Sequence, residues 1–122
     1  MLKNNILRRK KDFSRIYIKG KSFASKYLVI FYNKNNLGYN RTAFLASKKV
    51  GKSVKRNKAR RHMKEVYLLY KDRLVKGYDI IFIARNNIID VKFSELVRTT
   101  ENILRKIKLL SGEEIWKKLW YY

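Results

Sequence analysis

Arg56, Asn57, Arg60, Arg61 and Lys64 belong to one run, residues 47–64, that reads Ser-Lys-Lys-Val-Gly-Lys-Ser-Val-Lys-Arg-Asn-Lys-Ala-Arg-Arg-His-Met-Lys. Guanidinium groups present paired N–H donors that match phosphate oxygens, and ammonium groups add point charge, so the chemistry on offer is grip on a polyanion. Bond-making chemistry is poorly supplied. Cysteine is absent, which removes disulfides, thiolate metal sites and a thiol nucleophile. A two-metal nuclease needs several carboxylates converging on one pocket. Here Asp12, Glu65, Asp72, Asp79, Asp90, Glu95, Glu101, Glu113 and Glu114 are scattered, with no paired spacing on a strand end. His62, the single histidine, sits at the edge of an apolar stripe and is assigned no role. No residue is read as catalytic.

The run must be held by an element that shows one face and buries another. On a wheel of about 100° per residue, Ala59, Met63, Val66, Tyr67, Tyr70 and Leu74 share one stripe, and Asn57, Arg60, Arg61, Lys64 and Lys71 crowd an adjoining arc. This pattern predicts a helix over 54–73, with Ser53 as its cap. A first helix is expected over 9–20 from Phe13, Ile16 and Tyr17, stopped by Gly20 through its tolerance of positive φ. A short strand follows at 22–25. Residues 27–33 alternate, with Tyr27, Val29 and Phe31 on one face and Leu28, Ile30 and Tyr32 on the other. The polar stretch 33–40 predicts a hairpin loop into 41–48 as the returning strand, and Gly51 breaks that strand. Residues 78–84 are nearly all apolar and read as a strand buried on both faces, ended by Asn86 and Asn87. A third helix is expected over 93–110, ended by Gly112. The order is α, several β, α, β, α, with no internal repeat.

Composition sets the frame. A chain of 122 residues is the size of one domain, and 46% hydrophobic residues exclude a disordered polycation. Lys and Arg number 31 against 9 acids, a formal charge of +22, and such self-repulsion points to a polyanionic partner. No apolar run approaches the roughly 20 residues that span a bilayer, and none follows the basic amino terminus as a signal peptide would. No membrane association is expected, and the protein is expected in the cytosol.

Ser47-Lys48-Lys49-Val50-Gly51, then Val54, then Arg56-Asn57 followed by Arg60-Arg61, resembles the signature of the bacterial ribonuclease P protein subunit. Asp12-Phe13 with Tyr17 and Gly20 resembles that family's first helix, and residues 80–85 its strand ending in Ala-Arg. The likeness covers 7–110 in order. Ala43 stands where many members have glycine, Lys58 where an arginine is common, and Asn86 where proline usually follows Ala-Arg.

The resemblance implies a single α+β domain of αβββαβα order, ribosomal protein-like, over residues 1–112. Its four-stranded central sheet would carry a left-handed βαβ crossover, against the right-handed rule. Residues 113–122 would form a tail that either docks back as one or two helical turns or associates with neighbours. The resemblance also implies the function: partner of a catalytic RNA that removes the 5′ leader of precursor tRNA. Two surfaces carry over. Ser47, Lys48, Lys49, Lys55, Arg56, Asn57, Arg60 and Arg61 are implied to face the catalytic RNA. Phe13, Tyr17, Val29 and Phe31, bordered by Arg60 and Lys64, are implied to line a cleft for the single-stranded leader. Exposed rings suit that task, because stacking is worth about 1 to 3 kcal/mol per base without demanding a sequence. No cofactor is expected in the protein, magnesium being held by RNA phosphates, and the free protein is expected to be a monomer.

Two other classes compete. A structural ribosomal RNA-binding protein would share the charge and size without the aromatic cleft. A membrane-active cationic amphipath is suggested by the Trp-rich carboxyl terminus, but the folded-domain patterning opposes it.

Overall fold

The structure, a computed structural model, describes residues 5–112. Its elements run α1 (Lys10–Lys19), β1 (Lys21–Ala24), β2 (Leu28–Lys34), β3 (Arg41–Ala46), α2 (Ser53–Tyr70), β4 (Tyr78–Ala84) and α3 (Phe93–Lys106). This is the predicted α+β order. The expectation for the tail at 113–122 lies outside the described residues.

Strand order in the sheet is β1-β2-β4-β3. β2 pairs antiparallel with both β1 and β4, whereas β3 pairs parallel with β4, Phe44 opposite Phe82. The predicted hairpin between β2 and β3 is therefore wrong, since β4 lies between them. The reason is burial: Ile80, Ile81 and Phe82 are fully buried, and only a central strand covered on both faces shields all three.

Odd and even residues of the strands face opposite sides. On one side Leu28, Ile30, Ile80, Phe82 and Ala84 pack under α2 and α3 in the larger core. All six residues of the predicted α2 stripe are buried, including Leu74 beyond the helix end. On the other side Leu7, Ile16, Ala43 and Ile81 form a smaller core under α1, with Phe13, Phe31, Leu45 and Ile83 packed around it.

The hand of the β3-α2-β4 crossover follows from the hydrogen bonds. Draw β4 upward with α2 toward the viewer. An L-residue whose side chain points away then directs its N–H and C=O to the left. Arg85, continuing the odd side of β4, donates its N–H to the Tyr27 carbonyl at 2.8 Å. So β2 lies on the left, β3 on the right, and the chain passes from right to left through a helix in front. The crossover is left-handed, as the resemblance implied.

Three local expectations need correction. Gly20 has φ −80°, so positive φ is not its role. A Cβ there would stand 2.5 Å from the Ile16 carbonyl and 2.7 Å from that of Tyr32, so glycine is required by the close approach of α1 to β2. Ser53 is the first helical residue of α2, and the cap position is Lys52 with no side-chain cap bond. Finally, α2 tightens into a 3₁₀ turn at Lys71–Arg73, and α3 stops at Lys106 before Lys108 turns to positive φ.

Candidate nucleic-acid interface

The first turn of α2 holds no acidic residue, and Lys52, Lys55 and Arg56 crowd it. Cations at this end oppose the helix dipole, whose positive pole lies here, by about 0.3–1 kcal/mol each. The arrangement is costly in the free protein and relieved by an anion. Ser47, Lys48, Lys49, Lys55, Asn57 and Arg61 are exposed, and Arg56 and Arg60 half-buried. Gly51 at φ 144° lets the chain turn from the loop after β3 into the helix. The Asn57 Oδ1 accepts a hydrogen bond from the Arg60 guanidinium, which fixes the direction of that side chain one turn away. Arg61 lies 3.9 Å from Glu65, a loose surface pair. The basic segment predicted to face a polyanion is thus one continuous surface.

Around the edge of β3 this surface borders a cleft of about 500 Å³. Its walls are Phe13 from α1, Ala43 and Leu45 from β3, and Arg60, Arg61 and Lys64 from α2. A shallower concavity continues along α1 past Lys10, Phe13, Ser14, Tyr17 and Leu45. The structure therefore brings together Phe13, Tyr17, Arg60 and Lys64 of the expected cleft set. It adds Arg61, which was expected on the other surface.

Phe13 is half-buried, Tyr17 is 45% exposed, and their rings lie 6.4 Å apart. Phe31 meets Tyr17 edge to face at 5.0 Å. Burial raises the Tyr17 phenol above its ordinary value. Val29 and Phe31 share the α1 side of the sheet but line neither concavity; both are half-buried, with Phe31 supporting Tyr17 from behind. Sequence reasoning missed Ala43 and Leu45. Their parity with Ile81 and Ile83 across the parallel ladder puts them on the open side, a signal that exists only once the pairing is known.

Beneath the amino end of α1 lies a buried ionic network. Arg41 holds Asp79 in two hydrogen bonds, Nε to Oδ1 at 2.8 Å and Nη2 to Oδ2 at 2.7 Å. Asn35 donates to the same carboxylate at 2.9 Å. Asp12 accepts from Arg15 at 2.8 Å and lies 3.6 Å from Arg41. The Asp79 carboxylate raises the pKa of Arg41 further, first by hydrogen bonding and more weakly by its charge. These two acids, scattered in sequence, meet in space as anchors for cations. Among the described residues no group of three or more His, Cys, Asp or Glu side chains is placed to hold a metal. His62 packs edge-on to Phe93 at 6.2 Å.

A family model described as Ribonuclease P matches residues 1–108. The chain is 43% identical over 111 residues to the ribonuclease P protein component of Alkaliphilus metalliredigens, covering 91% of this chain and all of that one. It is 45% identical to that of Clostridioides difficile, over 82% of this chain and 89% of the relative. Among solved structures, the RNase P protein of Staphylococcus aureus superposes with a TM-score of 0.79 at 30% identity, over 88% of this chain and 98% of that one. That of Thermotoga maritima gives 0.75 at 31%, over 87% and 97%. Order of elements, sheet, basic helix and sequence agree: the chain belongs to the ribonuclease P protein family, the protein component of a tRNA-processing endoribonuclease.

Proposed function

We propose that this protein binds the catalytic RNA of ribonuclease P through the loop after β3 and the exposed arc of α2, and holds the 5′ leader of precursor tRNA in the cleft beside them. The observation that carries the reading is the open side of the sheet. Tyr17 stands exposed over Phe31, next to a cleft rimmed by Arg60, Arg61 and Lys64. Rings beside cations suit single-stranded RNA, since stacking and phosphate contact need no particular sequence. Leaders that differ between tRNAs call for that tolerance.

Hydrolysis is assigned to the RNA. Asp12 and Asp79, the acids of the network beneath α1, are engaged by Arg15, Arg41 and Asn35 and so are poor metal ligands. Magnesium is then held by RNA phosphates, and the protein contributes affinity and orientation. Reconstitution tests this. The protein alone should leave precursor tRNA intact, and adding it to the catalytic RNA should restore 5′ maturation at low magnesium. Full cleavage by the protein alone would refute the assignment.

A further inference from the structure

The geometry points to a second RNA subsite, a basic basin on the far side of the amino-terminal segment, which takes the phosphodiester chain of the leader after it leaves the cleft. This deepens the proposed function and rests on it. The basin measures about 500 Å³, the same as the cleft. The two are neighbours: both are lined by Ile6, and the consecutive residues Asp12 and Phe13 face one each. Ile6, common to both, is where single-stranded RNA would pass from one to the other.

Charge marks the basin as an anion site. Arg8, Arg9, Lys11, Arg15 and Arg41 line it, against the single carboxylate of Asp12. That carboxylate is spent, one oxygen on Arg15 and the other facing Arg41, while Arg41 is committed to Asp79. Arg8, Arg9 and Lys11 are exposed and have no ion pair among the described residues. Among the described residues, then, three cations without an ion pair surround a concavity whose floor is already neutralised, which leaves them for a ligand.

The opposite wall is built rather than incidental. In the loop between β2 and β3, Asn35 accepts from the Leu37 N–H at 2.8 Å and donates to the Tyr39 carbonyl at 3.1 Å, while also holding Asp79. The same network that pins α1 to the sheet thus fixes Leu37 and Tyr39 in the wall. A Tyr ring and an exposed Leu beside these cations suit a nucleotide chain better than an isolated inorganic anion, which would use the charges alone.

The test measures holoenzyme affinity for precursor tRNA with leaders of about 4 and about 12 nucleotides, within the span of a single-strand groove. In the triple variant Arg8→Ala, Arg9→Ala, Lys11→Ala, long-leader affinity should fall toward that of the short leader. The log-log salt slope for the long leader should drop by about 2, each single-strand phosphate contact counting about 0.7. Short-leader affinity and its slope should not move. Tyr39→Leu, which leaves the charges in place, should reduce long-leader affinity by a smaller factor. The inference is overturned if the triple variant binds the long leader as the parent does, or loses both leaders equally. It is also overturned if inorganic phosphate, at ionic strength matched with chloride, abolishes the long-leader advantage while the triple variant keeps it. Failure of the parent reading looks different: the unmodified holoenzyme would bind the short-leader precursor no better than mature tRNA.

Discussion

One sheet carries two unlike faces. Toward α2 and α3 it is sealed: Phe82 stacks on Phe44 at 5.1 Å, Tyr67 meets both rings, and Tyr70, Leu96 and Leu104 close the layer. Toward α1 it is half covered. A single ten-residue helix crosses the lower end, Ile16 seals the centre, and Tyr17 and Leu45 are left at the margin of an open cleft. The sealed face supplies the rigidity that lets the other expose rings without collapsing. Stability and binding are thereby divided between the two sides of the same four strands.

The largest effects should separate the faces. Phe82→Ala removes a fully buried ring and should cost about 3–5 kcal/mol in denaturant unfolding, as other core Phe truncations do. Tyr17→Ala, at a residue 45% exposed on the margin of the cleft, should cost far less, about 1 kcal/mol. Equal costs would mean that the faces are not divided in this way.

Arg41→Ala should come next, at about 3 kcal/mol, because it removes both short hydrogen bonds to the buried Asp79 and leaves it the Asn35 amide and the more distant Arg15 at 3.6 Å. The further change Asp79→Asn in the same chain should recover part of the loss, and a lack of recovery would show that the loss does not come from an uncompensated Asp79 charge. A smaller effect belongs to the basic helix. Arg56→Ala should weaken assembly with the catalytic RNA and lower the log-log salt slope by about 0.7–0.9. An unchanged slope would remove Arg56 from the contact.

The sealed face also has a titration. Burial first, and the Asp72 charge second, push the Tyr67 phenol up to about 12. The folded state then holds its proton more tightly than the unfolded chain, whose value is about 10. Stability from this group is complete below about pH 10 and is lost as pH rises through about 12. Tyr67→Phe should flatten that alkaline decline, and a decline of the same steepness in the variant would contradict the assignment.

Much of this division was legible in the residues. The period of 3.6 in Ala59, Met63, Val66, Tyr67 and Tyr70 located the buried stripe of α2 and, beside it, the basic arc. Continuous hydrophobicity at 78–84 gave β4 its true bounds and its burial on both faces. Alternation in β2 placed Val29 and Phe31 together, but a period of two names two faces without saying which is covered. It is equally silent about neighbours, so β4 between β2 and β3 was not foreseen. Nor was the Arg41–Asp79 pair, 38 residues apart, which exists only because the parallel ladder sets Arg41 opposite Asp79. Gly20 shows the same limit: the close approach that demands it involves the carbonyl of Tyr32, a contact that no local pattern records.

The division of the faces is tested most directly by the holoenzyme's preference for precursor over mature tRNA, measured for the parent protein, Tyr17→Ala and Phe31→Ala. Loss of the Tyr17 ring should cut that preference by about 1–3 kcal/mol, roughly 5- to 150-fold, and loss of Phe31, which supports Tyr17 from behind, by a smaller factor, while affinity for mature tRNA stays as it was. A preference left intact in both variants, with the proteins folded, would contradict the account, because the open side of the sheet would then not hold the leader.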